Sequence, residues 1–466
     1  MGSARAVSPS DAHARADAAA PRVLWLDTPD RPAPRPAVTT ATDVDLLVVG
    51  GGFTGLWTAL CALEREPGRS VLVVERDRIA EQATGRNGGF CEASLTHGED
   101  NGRERWPDEY DELERLGLEN LDAIESAVQR YGIDCDLRRT GQLSVATRAH
   151  EVAWLAPDED GFLDADAVRA LVDSPTYLAG RLDAEGCAMV DPARLAWGLA
   201  AAVESLGGVV AEGTSVSRLR GRGPGGAVEA TTASGATIRA RHVAMATNAF
   251  PGLLRRVSTR VVPVYDHVLA TEPLTADQLA AVGWDSRCGV ADSGNLFHYY
   301  RLTADDRILW GGYDAVYHFG KGIAPGHEQR PATHRVLAEH FYETFPQLAG
   351  VGFSHRWGGV IDTCTRFCAF FGTAKRGRVA YAAGFTGLGV GASRFAAEVM
   401  LDLLSGEETP RTRLAMVREK PLPFPPEPLA WTGIQLTRWA SARADATGRR
   451  NLWLRTLDRL GLGFDS

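Results

Sequence analysis

A glycine-rich loop near residue 50 has the spacing of a phosphate-binding turn. Gly50, Gly52 and Gly55 form the pattern Gly-x-Gly-x-x-Gly directly after the apolar run 45–49. In such a loop the first glycine permits a tight turn, the second lets the backbone approach a pyrophosphate, and the third lets helix and strand pack closely. Phe53 and Thr54 lie where the following helix begins and offers free N–H groups to phosphates. These five residues are predicted to bind a dinucleotide.

An acidic residue stands where such a fold binds a ribose. Glu75 follows the apolar run 71–74, 20 residues after Gly55, and is placed to accept hydrogen bonds from ribose hydroxyls. An acid here disfavours a 2′-phosphate, so the nucleotide is expected to be FAD or NAD and not NADP. Glu75 and the adjacent Arg76 are predicted cofactor contacts.

Two further glycine-rich loops indicate a long, flat cofactor. The first, residues 84–89, comes too soon after the second strand for a simple nicotinamide dehydrogenase, and its small residues permit close backbone approach. The second, residues 384–391, follows the apolar run 379–383 and precedes a helix whose dipole would stabilise negative charge on a reduced flavin. The predicted cofactor contacts in these loops are Gly85, Arg86, Asn87, Gly88, Gly89, Gly384, Thr386, Gly387, Leu388 and Gly389.

Candidate substrate groups lie near the first of these loops and in the middle of the chain. Arg86 would lie against the flavin ring or bind a substrate carboxylate; a solvated arginine in a surface turn is the alternative. His97 is a candidate in the same stretch, with a structural histidine as the alternative. Strand alternation puts Tyr299 and Arg301 on one face and leaves His298 on the other, so Tyr299 either faces the ligand or is a core aromatic.

Taken together, these motifs resemble a known family. The sequence is similar to the FAD-dependent oxidoreductases of the D-amino-acid oxidase, glycine oxidase and sarcosine oxidase superfamily, and within it to the γ-glutamylputrescine oxidoreductase-like group. The resemblance covers residues 43–405 and is carried by residues 48–56, 85–89, 191–195, 246–249, 384–391 and 393–394.

The resemblance implies a fold of two interleaved domains within an α/β class, α+β overall. A Rossmann-like FAD-binding domain with a parallel sheet would be built from residues 43–105, 185–262 and 355–410. An antiparallel β-sheet substrate domain would be built from residues 106–184 and 263–354. It further implies cofactor contacts at Val216, Thr247 and Asn248, a wall of the flavin site at Trp357, and an anion-binding group at Arg366, with core packing or a surface ion pair as alternatives for the last two.

The chemistry implied by the resemblance is oxidation of a C–N bond in a small amine or amino acid. A hydride passes from carbon to flavin N5, the imine hydrolyses, and O2 or another acceptor reoxidises the flavin. Relatives that bind FAD covalently use a cysteine motif that Cys364 and Cys368 do not match, so FAD is expected to be non-covalent. Some relatives also use a lysine to help oxygen react, and the corresponding segment 307–313 has none. Oxidase and dehydrogenase therefore both remain open.

Composition excludes several other classes. The 466 residues contain 50 Lys and Arg against 59 Asp and Glu, a net charge of −9, which disfavours nucleic acid as a partner. The seven cysteines show no C-x-x-C spacing, so no metal site is expected and a reduced, cytoplasmic setting is favoured. No apolar run is long enough for a membrane span. A homo-oligomer is compatible with these features.

The two ends of the chain differ from the body. Residues 1–42 are rich in Ala, Pro and Arg and are predicted to form a flexible lead, with a short apolar segment at 23–26 that docks on the body. Residues 411–466 are predicted to form a Pro-rich connector and a basic helical tail. The tail is expected to pack on the FAD domain or a sister subunit; docking to a membrane surface or a partner is the alternative.

Two other functions remain open from sequence alone. One is a flavin-binding protein without turnover, which would keep the loop at 50–55 and Glu75 but would not be reduced by any amine. The other is a nicotinamide-dependent dehydrogenase, which the loop at 384–391 disfavours.

Overall fold

A computed structural model of the protein describes residues 7–158, 160–221, 226–250 and 252–462. The strands in these ranges are β1 (Thr42–Val49), β2 (Val71–Val74), β3 (Phe90–Glu92), β4 (Gln142–Ala146), β5 (Phe162–Asp164), β6 (Ala179–Asp183), β7 (Cys187–Met189), β8 (Val209–Ala211), β9 (Val216–Gly221), β10 (Val228–Thr232), β11 (Thr237–Met245), β12 (Val262–Thr271), β13 (Gly289–Asp292), β14 (His298–Leu302), β15 (Ile308–Tyr317), β16 (Phe353–Thr363), β17 (Phe370–Ala374) and β18 (Val379–Ala383).

The α-helices in the same ranges are α1 (Pro9–Ala18), α2 (Phe53–Arg65), α3 (Glu99–Arg105), α4 (Tyr110–Arg130), α5 (Ala165–Leu171), α6 (Pro192–Ser205), α7 (Arg255–Ser258), α8 (Ala276–Val282), α9 (Pro331–Thr344), α10 (Ala392–Ser405), α11 (Pro410–Arg413), α12 (Ala415–Arg418), α13 (Leu429–Thr447) and α14 (Leu452–Arg459).

The first sheet has the strand order β17-β18-β11-β1-β2-β8, with β10 and β9 added beside β11. Strand β1 runs parallel to both of its neighbours, β2 and β11, and is buried on both faces, which is why residues 46–49 are all apolar. The carboxyl ends of β1 and β2 therefore meet at one edge, where the Gly50 N–H donates to the Val74 carbonyl at 2.9 Å. This edge brings the first glycine loop and Glu75 together.

The second sheet has the order β16-β12-β15-β14-β13-β4-β6-β5 and is antiparallel except for the β13–β4 pair. One face packs on helix α9, where Tyr300 and Trp310 join Phe341 in an aromatic core. Because side chains alternate along a strand, Tyr299 lies on the other face of β14. The predicted fold class is confirmed, with the antiparallel sheet presenting Tyr299 away from its own core.

Two of the expected domain boundaries differ from the structure. Helix α4 falls in the segment 106–184 assigned to the substrate domain, yet it packs in the core of the first sheet through Leu113, Leu121 and Ile124. Its periodic apolar face covers helix α10 instead of the antiparallel sheet. Strand β16 falls in the segment 355–410 assigned to the FAD domain, yet it pairs along its length with β12 of the antiparallel sheet.

The expected flexible lead is ordered from residue 7 onward; residues 1–6 lie outside the described range. Helix α1 packs on helix α9, and the Arg15 guanidinium donates to the Tyr342 hydroxyl (3.1 Å) and to the Ala349 and Val351 carbonyls (2.6 and 3.0 Å). The apolar segment at 23–26 docks on the body, as its pattern indicated: Trp25 is buried, and its indole N–H donates to the Asn87 carbonyl at 2.9 Å.

None of the helices within the described ranges combines the length and the apolar character needed to cross a membrane. All seven cysteines are buried and free of disulfides. Within the same ranges, no group of three or more His, Cys, Asp and Glu side chains is placed to hold a metal ion.

The docking of helix α1 can be tested with Arg15→Ala. Loss of three hydrogen bonds from one guanidinium, two of them to backbone carbonyls, should lower the free energy of unfolding by about 1–3 kcal/mol. Arg22→Ala is the matched control, because Arg22 is exposed and makes only a long ion pair to Asp27 at 3.4 Å. Chemical denaturation of both variants measures the difference; equal stability of the two would contradict the docked arrangement.

Candidate active site

The first glycine loop is shaped by close backbone contacts. Gly50 has φ +109°, and a methyl group on it would overlap the Ala246 carbonyl oxygen. A methyl group on Gly55 would in turn overlap the Gly50 carbonyl oxygen. Helix α2 begins at Phe53 with no side-chain cap from Gly52, and the Phe53 N–H donates to the Thr84 hydroxyl at 3.2 Å. Gly52, Phe53 and Thr54 line the cavity, so the loop is a cradle at a helix N-terminus, which fits the pyrophosphate of FAD.

Glu75 lies beside the cradle, and its contact with a ribose remains a prediction. Its carboxylate accepts the Gly51 N–H at 2.7 Å and the Asp77 N–H at 2.9 Å, and burial raises its pKa. These two bonds leave acceptor positions on both carboxylate oxygens for ribose hydroxyls. Arg76 lies farther out, paired with Asp77 at 2.7 Å and stacked over the Phe250 ring at 4.3 Å.

Val216 and the 246–249 turn flank this region. Val216 is the first residue of β9, is partly buried and does not line the cavity. Thr247 adjoins Gly50, since its backbone nitrogen would lie 3.6 Å from a methyl group on that glycine. Asn248 has φ +50° and lines the cavity. Cofactor contacts at Val216, Thr247 and Asn248 remain predictions.

The loop at 84–89 is held by its own side chains. The Asn87 amide donates to the Ala83 and Thr84 carbonyls (3.0 and 2.8 Å) and accepts the Gly89 N–H at 2.9 Å. Gly88 has no room for a side chain, because a methyl group there would lie 2.5 Å from the Tyr299 ring. Gly85 and Gly89 are as confined, against the Ala80 and Val190 carbonyls. Gly88 thus lines the cavity with the Tyr299 ring packed against its backbone, while neighbouring carbonyls fill the space beside Gly85 and Gly89.

The Arg86 guanidinium is occupied within the protein. It forms an ion pair with Glu328 at 2.6 Å and donates to the Glu81 and Gly358 carbonyls at 2.7 and 3.1 Å. Its own carbonyl accepts the Trp357 indole N–H at 2.9 Å. Arg86 lines the cavity but has its main donors committed, so binding of a substrate carboxylate would require it to give up existing partners.

The loop at 384–391 is fastened by a buried carboxylate that the sequence analysis did not single out. Asp362 accepts the Gly384 N–H at 2.6 Å and the Phe385 N–H at 3.2 Å, and burial raises its pKa to about 7. Thr386 to Gly389 line the cavity in a turn, and helix α10 begins only at Ala392. The loop therefore lines the cavity and the helix follows it directly after residue 391, as the sequence predicts, while contacts of the loop with the cofactor remain a prediction.

One continuous cavity of about 1890 Å³ joins these loops to the antiparallel sheet. It extends from the α2 N-terminus past residues 86–90 and the 384–391 loop to the open face of β12 and β14. The far wall of this cavity is formed by the C-terminal tail of the chain. Helix α13 lines it with one small-residue face, which consists of Ala430, Gly433, Ile434, Thr437, Ser441 and Ala444.

The tail is anchored by specific charges. Arg438 forms an ion pair with Asp314, and the buried Asp445 carboxylate accepts the Asn295 N–H (2.9 Å) and the Leu296 N–H (3.0 Å). The opposite side of helix α13 exposes Trp439. The tail thus packs on the body of the same chain, but against the antiparallel sheet and not on the FAD domain as expected, and its place in the cavity wall was not predicted from the sequence.

Tyr299 and Asp266 form the most distinctive polar pair of the cavity. The Tyr299 hydroxyl donates to the Asp266 carboxylate, which also accepts the His267 N–H at 2.8 Å. The ring lies edge-on to Phe90 at 5.7 Å between centroids, and Gly311 leaves room for it. Burial raises the pKa of Asp266 to about 6 and that of Tyr299 well above its usual value. Asp266 was missed by sequence analysis.

Two predicted ligand-side residues, Trp357 and Arg366, are core residues in the structure, and so is Arg301 of strand β14. Trp357 is buried and does not line the cavity; its indole is held by the Arg86 carbonyl. Arg366 is buried over Trp106 and donates to the Cys368, Glu419 and Ala369 carbonyls. Arg301 donates to the Val190 and Gly89 carbonyls. The sequence interpretation of Trp357 as a flavin wall and of Arg366 as an anion site therefore differs from the structure, which uses both in packing.

His97 lies on the cavity wall with φ +65°. Burial lowers its pKa, while a backbone hydrogen bond with Thr386 opposes that shift. The neutral ring is therefore the favoured form near neutral pH. The structure brings His97 to the 384–391 loop, and a catalytic role for it remains a prediction.

The charges of the cavity favour a cation over an anion. Of the arginines that line it, Arg86 pairs with Glu328, Arg438 with Asp314 and Arg450 with Asp458, and Arg181 has interactions of its own. Among the lining carboxylates, Glu92 and Asp266 have no ion-pair partner within the described ranges, whereas Asp292 pairs with His298 at 2.7 Å. An arginine already paired cannot bind a substrate carboxylate without losing that partner.

Comparison with known proteins agrees with this geometry. The profile of a family described as FAD dependent oxidoreductase (DAO) matches residues 45–403. The γ-glutamylputrescine oxidoreductase of Escherichia coli (strain K12) is 32% identical over 407 residues, covering 84% of this chain and 90% of that protein. The probable oxidoreductase OrdL of Haemophilus influenzae is 27% identical over 407 residues, covering 83% and 89%.

Solved structures share the fold. The glycine oxidase from Geobacillus kaustophilus superposes with a TM-score of 0.64 at 19% identity and covers 82% of this chain and 100% of its own. The L-proline dehydrogenase from P. horikoshii superposes with a TM-score of 0.63 at 18% identity, covering 80% and 96%.

The cradle can be tested with Gly50→Ala. A methyl group at φ +109° against the Ala246 carbonyl should displace the loop, and FAD content after purification should fall at least about tenfold. Gly350→Ala is the matched control, because nothing lies within 4 Å of a methyl group there and its φ is unrestricted. Flavin absorbance per protein and thermal unfolding are measured together; a Gly50→Ala protein with full FAD content would contradict the cradle.

Proposed function

Because the chain belongs to the family of FAD dependent oxidoreductases, which its residues 45–403 match, we propose that it oxidises the C–N bond of a small amine without a carboxylate beside the reacting nitrogen. Membership makes it an FAD-dependent amine or amino-acid oxidoreductase. The choice of an amine over an amino acid is carried by one observation: the cavity next to the cradle offers carboxylates, while its arginines are engaged within the protein.

Bound FAD would supply the hydride acceptor and pass its electrons on to O2 or another acceptor. The chain's own residues would bind and orient. The cradle at Gly50–Gly55 and Glu75 would hold the pyrophosphate and the ribose. Gly88 would let the Tyr299 ring lie close against the loop at the edge of the substrate site.

Tyr299 and Asp266 are suited to hold the reacting amine. An ammonium group must lose a proton before its carbon can release a hydride, and a carboxylate with a pKa of about 6 can accept that proton near neutral pH. Tyr299 fixes the orientation of the carboxylate through its hydroxyl. No strong base is required beyond this pair, since orientation over the ring provides much of the rate.

The names of similar proteins support this class of chemistry. One relative is named a γ-glutamylputrescine oxidoreductase, and its name refers to an amine compound. The structural neighbours include a glycine oxidase and an L-proline dehydrogenase. Oxidases and dehydrogenases thus share this fold, so the acceptor is not set by fold alone.

The lysines of the chain do not favour oxygen as the acceptor. Lys321 donates to the Ser258 and Val261 carbonyls, and Lys420 to the Val417 and Arg418 carbonyls. Neither these two nor Lys375 lines the cavity. A lysine that assists oxygen at the flavin is therefore not provided by the described cavity wall.

Anaerobic mixing with amines tests the function. The FAD-loaded protein should lose its flavin absorbance with a cognate amine, and reoxidation in air should be compared with reoxidation by a quinone or dye. Acid precipitation should release free flavin, because Cys364 is buried and the pKa of its thiol is raised to about 12. Persistent yellow colour with every amine would favour a flavin protein without turnover, and release of NAD instead of FAD would favour a nicotinamide enzyme.

The role of Asp266 is tested by Asp266→Asn. The amide cannot accept the proton, so kcat/KM should fall at least about tenfold. In the wild type kcat/KM should rise as the pH increases through about 6, where Asp266 loses its proton, and the variant should lack that rise. Asp43→Asn is the control, an exposed carboxylate far from the cavity. An unchanged pH profile in Asp266→Asn would assign the proton to another group.

A further inference from the structure

Glu92 lies in the cavity with no role in the chemistry described above. It ends strand β3, which begins at Phe90 directly after the loop at 84–89. Alternation along the strand puts Phe90 and Glu92 on the same side, with Cys91 buried on the other. The Glu92 backbone also abuts the far loop, since a methyl group on Gly391 would overlap the Glu92 carbonyl oxygen. Glu92 thus sits between the two flavin-facing loops.

The Glu92 carboxylate is unsatisfied. Within the described ranges no hydrogen bond or ion pair reaches its side chain, although it lines the cavity. Burial, and to a smaller degree the charge of Asp183, raises its pKa to about 7. The side chain is partly exposed to the cavity, so the donor groups of a bound ligand can reach its carboxylate.

The groups around Glu92 are also hydrogen-bond acceptors. Glu92 pairs with Cys187 in the β3–β7 ladder, and the Gly141 N–H donates to the Cys187 carbonyl at 3.0 Å, which brings Gln142 beside it. The Gln142 Oε1 atom is buried without a partner. Gln142 in turn pairs with Asp183, whose carboxylate accepts only backbone N–H groups.

This acceptor pocket is separate from the Asp266–Tyr299 pair. The Tyr299 ring meets Phe90 edge-on, with Asp266 bound to the Tyr299 hydroxyl and Glu92 two residues beyond Phe90. Two carboxylates therefore stand on either side of an aromatic pair whose surfaces suit an alkyl chain. An extended molecule with a positive charge at each end matches this arrangement.

We propose that Glu92 and Gln142 form a binding subsite for a second, non-reacting ammonium group, which makes a linear diamine the substrate class. The inference rests on the proposed amine oxidation and adds the recognition of the distal end. An ammonium group has three donors and no acceptor, which satisfies the Glu92 carboxylate and the Gln142 oxygen together. No covalent change occurs at this subsite.

Three substrates of matched length test the subsite in the FAD-loaded wild type. Diaminobutane carries two cationic ends, mono-acetylated diaminobutane carries one and is neutral at the other, and n-butylamine has no distal polar group. The rate of anaerobic flavin reduction at limiting concentration should be at least about tenfold higher for diaminobutane than for either of the others, as expected for one charge-assisted hydrogen-bonded contact. This comparison needs no variant.

The variant Glu92→Gln tests whether the Glu92 carboxylate causes the preference for diaminobutane. The ratio of kcat/KM for diaminobutane to that for n-butylamine should fall at least about tenfold in Glu92→Gln, because the isosteric amide lacks the charge. Glu104→Gln, an exposed glutamate on helix α3, should keep the wild-type ratio. FAD content and thermal unfolding show that both variants are folded.

The outcomes separate the two proposals. Reduction of the flavin by all three amines at equal rates, or a diamine preference that survives in Glu92→Gln, overturns the subsite and leaves amine oxidation standing. A flavin that no amine reduces overturns the proposed function itself. Faster reduction by mono-acetylated diaminobutane than by diaminobutane also overturns the subsite, because it would show that a neutral distal end is preferred.

Discussion

The contact of Gly50 with the Ala246 carbonyl is the constraint on which the rest of the structure depends. Three buried parallel strands end at one edge, and only a residue without a side chain lets β1 turn beneath the strand β11 terminus. That turn sets the start of helix α2 and places Glu75 against the loop through the Gly51 N–H. A cavity can open above the helix N-terminus because backbone, and no side chain, fills the turn.

The second constraint is the use of arginine. The chain has many arginines, but those near the cavity donate hydrogen bonds to backbone carbonyls or pair with carboxylates of the same chain. Arg86, Arg301 and Arg366 are examples. Guanidinium groups with several planar donors are well suited to tie loops together in this way. Within the described ranges Asp266 and Glu92 are left without a cationic partner, and burial raises the pKa of both carboxyl groups. A cationic substrate would supply the opposite charge that these two carboxylates lack within the protein.

The fold and the cofactor could be predicted from sequence because both follow from local patterns. Glycine spacing, a buried strand and a terminal acid must occur in a fixed order, and the alternation that separated Tyr299 from its neighbours holds in β14. The roles of Arg86, Trp357 and Arg366 could not be predicted in this way, because the partners of a long side chain come from distant segments. In the sequence, Asp266 and Glu92 are single acidic residues within apolar strand segments, and nothing in their local pattern indicates that they face a cavity. The order of residues 7–42 and the placement of the tail depend on tertiary contacts such as those of Arg15 and Asp445.

We expect the cavity to bind an amine without an adjacent carboxylate. Anaerobic reduction of the FAD-loaded protein by two matched pairs tests this directly: n-butylamine against norvaline and diaminobutane against ornithine, in which the members of each pair differ only by the α-carboxylate. The flavin should be reduced at least about tenfold faster by the amine of each pair, because no unpaired arginine of the described cavity wall meets the added carboxylate while Asp266 repels it. Faster reduction by the amino acids would contradict it.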